Sequence, residues 1–148
     1  MDDKNQQIET LAIHGGQQHD PSTGAVMPPI YQTSTYVQEY PGKHKGYEYS
    51  RSGNPTRTAL ENSIASIEGG THGAAVGSGL AAVDCMLKFL SPGDEVIACN
   101  DLYGGTYRLF TKMFSKYGVK FKFVDMSNDG WHNLVSEATK MLWMETPT

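Results

Sequence analysis

Positive charge is scarce in this chain: 12 Lys and Arg stand against 16 Asp and Glu, a formal net charge of -4. That balance provides no basic footprint for a phosphate backbone, so no nucleic acid is expected as a partner. No apolar run reaches the ~20 residues a helix needs to cross a bilayer, and no membrane is expected as a partner either. Cysteine is nearly absent. Cys85 and Cys99 lie outside any CxxC spacing and in apolar surroundings, so both read as reduced, buried small hydrophobes. His14, His19, His44, His72 and His132 are scattered at no metal-ligand spacing, and no metal is expected. No Ser-His-Asp or Cys-His constellation can be assembled. Residues 1–7 are polar and acidic, unlike a secretory signal or an Arg-rich transit segment, which gives the expectation of a cytoplasmic protein.

What is present falls into two regimes. Residues 1–53 carry no strong helical period and are rich in Gly, Pro, Gln, Ser, Thr and Tyr. Such a stretch does not easily build its own core, so it is expected to lie on something else, as an arm on the rest of the fold or on another subunit. Residues 54–148 are regular and read as an α/β domain. Asn54 is a suitable N-cap and Pro55 a suitable first helical residue, with Leu60, Ile64 and Ile67 at helical spacing until Gly69-Gly70. A short strand is expected at 74–76 and a helix from Gly79 to Leu90. A buried strand follows at Glu95–Cys99, then a helix running to about Tyr117 with Leu109, Phe110, Met113, Phe114 and Tyr117 on one face. Val119, Phe121 and Phe123 alternate with Lys120 and Lys122, the period of a strand with one wetter face. A helix over 131–139 and a strand over 141–145 complete the series. Alternating helices and strands argue for βαβ units around a mostly parallel sheet, with ligands at the carboxyl ends of its strands.

Three stretches could carry chemistry. Gly77-Ser78-Gly79-Leu80-Ala81-Ala82 places a glycine-rich turn between strand and helix, where free backbone N–H groups form an anion site. Such turns also serve packing alone; this one matches neither a P-loop nor GxGxxG. In Tyr47-Glu48-Tyr49-Ser50-Arg51-Ser52-Gly53-Asn54-Pro55-Thr56-Arg57, the Arg51 fork and the Tyr49 hydroxyl suit phosphate oxygens. The plainer alternative is a solvated arginine beside a packing tyrosine. Arg57, inside the following helix, reads as structural. In Asp101-Leu102-Tyr103-Gly104-Gly105-Thr106-Tyr107-Arg108, Tyr103 follows a buried strand and can stack on a flat ring, while Arg108 can capture a carboxylate. Packing and solvation remain the alternatives there.

Taken in order with His14-Gly15-Gly16, Pro28-Pro29-Ile30-Tyr31 and the closing Glu145-Thr146-Pro147-Thr148, these motifs span nearly the whole chain. It resembles the N-terminal part of the pyridoxal 5'-phosphate (PLP) enzymes of cysteine and methionine metabolism, the family of cystathionine γ-lyase and cystathionine γ-synthase. The resemblance implies the large domain of an aspartate aminotransferase-like, fold type I transferase, here incomplete. It implies that Tyr49 and Arg51 grip the cofactor phosphate of a neighbouring subunit in a homo-oligomer, a dimer of dimers. Ser78, Gly79 and Leu80 then hold the phosphate of their own subunit, Tyr103 stacks on the pyridine ring, and Arg51, Tyr103 and Arg108 contact the sulfur amino-acid substrate.

Gly105 and Arg108 match the cystathionine enzymes better than methionine γ-lyases, which usually have a cysteine at the Gly105 position. The implied activity is γ-elimination of cystathionine to cysteine, 2-oxobutanoate and ammonia. The alternative is the synthase direction, in which cysteine replaces an activated hydroxyl on homoserine. Two further alternatives are a non-catalytic phosphate-binding module and a fragment that modulates assembly. The family's Schiff-base lysine is expected beyond Thr148, as is the aspartate that pairs with the pyridine nitrogen. The chain is therefore expected to be a fragment, catalytically inert alone.

Overall fold

The computed structural model describes residues 6–147; residues 1–5 of the polar start, and Thr148 of the closing motif, lie outside the described residues. Packing divides the chain into two compact units, the first ending at Ala75 and the second beginning at Val76.

In the first unit, helix α1 (Ile8–His14) packs against helix α2 (Pro55–Ile67). α2 starts where the sequence places it. The Asn54 Oδ1 accepts the N–H groups of Thr56 at 2.8 Å and Arg57 at 3.3 Å, and Pro55 opens the helix. Its buried face is not the expected apolar stripe. Ser63 and Ala65 are buried, whereas Leu60 and Ile64 are 53% and 51% exposed. The cause is close backbone approach: a Cβ on Gly16 would lie 2.2 Å from the Asn62 carbonyl oxygen, and one on Gly73 2.3 Å from that of Glu61. A surface met at that distance selects small side chains, and the larger ones turn outward.

The Gly/Pro/Tyr-rich stretch is held by polar contacts. Thr35 and Tyr49 form an antiparallel bridge, with the Tyr36 N–H donating to Glu48 O (3.1 Å) and the Ser50 N–H to Ser34 O (2.8 Å). Beside it the Asn54 Nδ2 donates to Tyr31 O (3.0 Å), the Tyr31 N–H to the Thr56 Oγ1 (2.9 Å), and that hydroxyl to Pro29 O (3.1 Å). The stretch around Tyr31 is thereby pinned to the first turn of α2.

The second unit is built on a three-stranded parallel sheet of order β2-β1-β3, with β1 at Glu95–Cys99, β2 at Lys120–Val124 and β3 at Thr139–Trp143. β1 is buried throughout, as expected of a parallel strand flanked on both sides. Val96 and Ala98 join Leu87, Phe110, Phe114 and Val119 in the core, with Phe121, Phe123, Met141 and Trp143 packed against them. Phe110 stacks on Phe121 (4.6 Å between centroids) and meets Trp143 edge-on (5.6 Å). The alternation of β2 is as read: Phe121 and Phe123 face the core, while Lys122 pairs with Glu95 at 2.9 Å. Glu95 also accepts the Thr139 hydroxyl at 2.8 Å, and the Lys122 hydrogen bond foremost holds its carboxyl below the usual range.

Four expectations need correction. Residues 74–76 form no strand, because the Ala75 N–H is taken by the Glu61 carboxylate at 3.0 Å rather than by a neighbouring strand. Cys85 is exposed, although Cys99 is buried. Helix α3 (Gly79–Leu87) turns Leu87 to the core, which leaves Cys85, two positions earlier, on the opposite side. The helix expected up to Tyr117 changes winding: α4 (Gly104–Arg108) passes into a π turn (Leu109–Met113) and a 3₁₀ turn (Phe114–Tyr117) before Gly118 ends it at φ +83°. The wider π turn shifts the face, so Phe110 and Phe114 stay buried while Met113 and Tyr117 are exposed. Finally, the helix expected over 131–139 is one 3₁₀ turn (Trp131–Leu134), after which Val135 is extended and the Ser136 N–H is tied to the Thr139 hydroxyl at 3.0 Å.

Candidate functional site

At the carboxyl edge of the sheet, the loop after β1 carries Tyr103 into α4, and the chain after β3 carries Glu145. With the start of α3 they enclose a cleft of about 420 Å³ lined by Ser78, Gly79, Leu80 and Val83 on one side and Tyr103, Thr106 and Glu145 on the other. This is where ligands bind in parallel α/β sheets.

The helix start is built for an anion. The Ser78 hydroxyl caps α3 by accepting the Ala81 N–H at 3.1 Å. The N–H groups of Gly79 and Leu80, in the first turn, have no acceptor within the helix. A Cβ on Gly77 or Gly79 would meet nothing within 4 Å, so the space before these amides is open to a ligand.

Tyr103 supplies a flat wall. It is 63% exposed, and its ring rests over Gly105: a Cβ there would lie 2.4 Å from the ring's Cε1 and 3.1 Å from the Leu80 Cδ1. Any other residue at Gly105 would push the ring from its seat. The Glu145 carboxylate lies behind, accepting the Tyr103 N–H at 2.7 Å and the Trp143 indole N–H at 3.0 Å. Burial pushes its carboxyl up, but the hydrogen bonds from Tyr103, Thr106 and Trp143 outweigh this and hold it below the usual range.

The expected residues fall into groups. Ser78, Gly79, Leu80 and Tyr103 share the cleft. Arg108 does not line it; its guanidinium lies beside Gly104 and takes no hydrogen bond or ion pair among the described residues. In the first unit the Arg51 guanidinium sits over the Tyr49 ring at 4.9 Å, exposed. Arg57 is structural as read. It donates to the carbonyls of Ser50 (3.1 Å), Arg51 (3.4 Å) and Ser52 (3.1 Å), and pairs with Glu61 at 3.6 Å. Sequence reasoning missed Glu145 and Thr106 as parts of the site. An acidic residue at the end of the strand read over 141–145, which the structure ends at Trp143, was the available signal for Glu145.

A phosphate matches the open amides and a planar heteroaromatic ring matches the Tyr103 face, so the cleft fits a phosphorylated aromatic cofactor. No lysine lines it. Among the described residues no group of three or more His, Cys, Asp or Glu is placed to hold a metal, and no helix is long and apolar enough to cross a membrane.

A family model described as Cys/Met metabolism PLP-dependent enzyme matches residues 9–148. A cystathionine β-lyase of Coxiella burnetii is 51% identical over 150 residues, covering 98% of this chain and 38% of that protein. A cystathionine γ-lyase of Bacillus subtilis is 47% identical over 141 residues, covering 95% of this chain and 37% of its own length. The crystal structure of metB from Corynebacterium glutamicum superposes with a TM-score of 0.94 at 42% identity, covering 100% of this chain and 39% of that one. The chain thus spans less than two fifths of the length of these relatives.

Proposed function

This chain belongs to the PLP-dependent enzymes of Cys/Met metabolism, and from that premise we propose that it forms the phosphate-gripping and ring-stacking part of an enzyme that cleaves the carbon–sulfur bond of cystathionine. The observation that carries this reading is the cleft in which open amides at Gly79 and Leu80 face the seated ring of Tyr103. The amides and the Ser78 hydroxyl would hold the phosphate dianion, and Tyr103 would supply the flat face for the pyridine ring. Bound PLP supplies an electron sink for charge developing at the substrate's α-carbon. Arg108, unpaired among the described residues, is read as a contact for the substrate's carboxylate from beside Gly104, outside the lining of the cleft. No residue of the cleft is an amine, so the Schiff-base lysine is none of the lining residues.

The first reading of the outcome is γ-elimination: cystathionine and water give cysteine, 2-oxobutanoate and ammonia. A second is β-elimination to homocysteine, pyruvate and ammonia, favoured by the name of the 51% identical Coxiella relative. Residues 1–53 are read as an arm on a neighbouring copy in a dimer of dimers, where Arg51 and Tyr49 grip that copy's cofactor phosphate. The exposed, stacked Arg51 guanidinium, on a loop clamped by Arg57, supports this. The setting is cytoplasmic, where Cys85 and Cys99 stay reduced.

The test gives the enzyme containing this chain PLP and cystathionine and identifies the keto acid. Release of 2-oxobutanoate supports γ-cleavage, and pyruvate supports β-cleavage. Neither keto acid, with cysteine joined instead to an acylated homoserine, would overturn cystathionine cleavage in favour of synthesis. The 148-residue chain alone is expected to release neither.

A further inference from the structure

Tyr103 has little of its own to hold it in place. It opens α4 without a side-chain capping bond, and the two residues after it are glycines, the most permissive backbone available. Its ring is largely exposed. A loose aromatic wall gives a flat ligand little, because ordering the wall on binding offsets the stacking gained.

Glu145 supplies the missing constraint from 42 residues away. In an ordinary capping box the side chain at the third helical position accepts the N–H of the capping residue. Here that third position is Thr106, which makes no such bond among the described residues, and the Glu145 carboxylate accepts the Tyr103 N–H in its place at 2.7 Å. Thr106 is 2% exposed. The remaining oxygen of Glu145 takes the indole N–H of Trp143, whose ring is packed against the core. The carboxylate therefore ties the segment after β1 to the end of β3, its parallel neighbour in the sheet. Engagement of both oxygens with N–H donors makes it a fixed anion rather than a proton carrier.

We propose that Glu145 is a positioning residue that presets the Tyr103 ring over the cleft for a flat heteroaromatic ligand. This rests on the reading of Tyr103 in the proposed function. Glu145→Gln keeps the size and removes the charge; its one carbonyl oxygen can accept from Tyr103 or from Trp143 but not from both, and its amide NH₂ can accept from neither.

The test compares the full chain with its Glu145→Gln variant by amide hydrogen exchange, and by affinity for pyridoxal 5'-phosphate and for inorganic phosphate. Exchange at Tyr103 is expected to speed up about tenfold, as a charge-assisted acceptor is lost. Affinity for pyridoxal 5'-phosphate should fall about as much, while that for inorganic phosphate stays within about twofold, since the Gly79 and Leu80 amides are untouched. Unchanged exchange at Tyr103, or equal weakening of both ligands with loss of protection across β3, would overturn the proposal. If Glu145→Gln fails to fold, Glu145→Asp keeps the charge but withdraws it from Tyr103, and the same shifts are expected.

Tyr103→Ala separates the two readings. It should abolish the preference for pyridoxal 5'-phosphate over phosphate, and Glu145→Gln should add nothing in that background. A preference that survives Tyr103→Ala, or is missing from the unaltered chain, sinks the stacking role of Tyr103. Exchange at Tyr103 then still decides whether Glu145 fixes the segment.

Discussion

The two compact units of this chain are stabilised by different physics. The second, from Val76, is organised around a stacked aromatic and aliphatic core with Phe110 at its centre and β1 buried along its length. The first, ending at Ala75, has Ala65 as the buried apolar side chain among its described residues, beside buried Asp20 and Ser63. Its order comes from polar ties: Arg57 on three carbonyls, Asn54 on two N–H groups, and the Asp20 carboxylate accepting Ser22 and Thr23 hydroxyls at 2.6 Å each. Meanwhile Val26, Met27, Ile30 and Val37 are exposed. An apolar core tolerates the loss of a polar tie; a scaffold of polar ties depends on each of them.

The comparison breaks most sharply at Phe110. Phe110→Ala removes a fully buried ring and should cost about 3–5 kcal/mol in urea unfolding, with a red shift of Trp143 emission. In the first unit the largest effect should come from Arg57→Met, about 1–3 kcal/mol, because three carbonyls lose their donor at once. Limited proteolysis near residues 50–52 would detect it, and Arg57→Lys should recover only part. Asn54→Ala comes next, about 1 kcal/mol by the same unfolding assay, the usual value of an N-cap.

The smallest effect is a pH dependence. The Glu95 carboxyl is held below its ordinary value of 4.5 in the folded chain. It therefore stabilises the fold above that value, and the contribution is lost as pH falls through the lower, folded-state value. Glu95→Gln should flatten the acid limb of a stability–pH profile modestly, since Lys122 is 41% exposed and solvent screens the pair.

The sequence made the second unit the easier one to read. Val96, Phe121 and Phe123 announce a buried parallel strand and its half-wet neighbour, and Ser78 and Gly118 mark the ends of helices by their own chemistry. That the turn Gly77-Ser78-Gly79 and Tyr103 would come to one cleft was legible because strand ends in such sheets face one edge. Leu60 and Ile64 misled, because helical spacing reports a stripe without saying what meets it. The neighbour of α2 is glycine backbone, a fact that Gly16 and Gly73 hold jointly with Asn62 and Glu61. The π turn at Leu109–Met113 left no mark in the pattern, since the apolar residues keep helical spacing along the sequence whatever the winding of that turn. Glu145 was invisible as a partner of Tyr103 because their contact is made by the sheet and not by the local chain.

One irregularity in that sheet bears on how the chain can vary in length. Glu95 pairs with Thr139 but its successor Val96 pairs with Met141, so Lys140 is a residue that β3 has and β1 does not match. Thr139 thereby serves Glu95, while Met141 and Trp143 serve the aromatic core, although ordinary alternation would put all three on one face. Lys140 itself is exposed and, among the described residues, donates to the Glu137 carbonyl at 2.8 Å. It works like a dropped stitch: take it out, and Thr139 and Met141 become true neighbours on opposite faces, with every pairing after them unchanged. Loss of that single codon would leave Trp143 and Glu145 in phase, whereas loss of Leu142 would put neighbouring residues on the wrong faces.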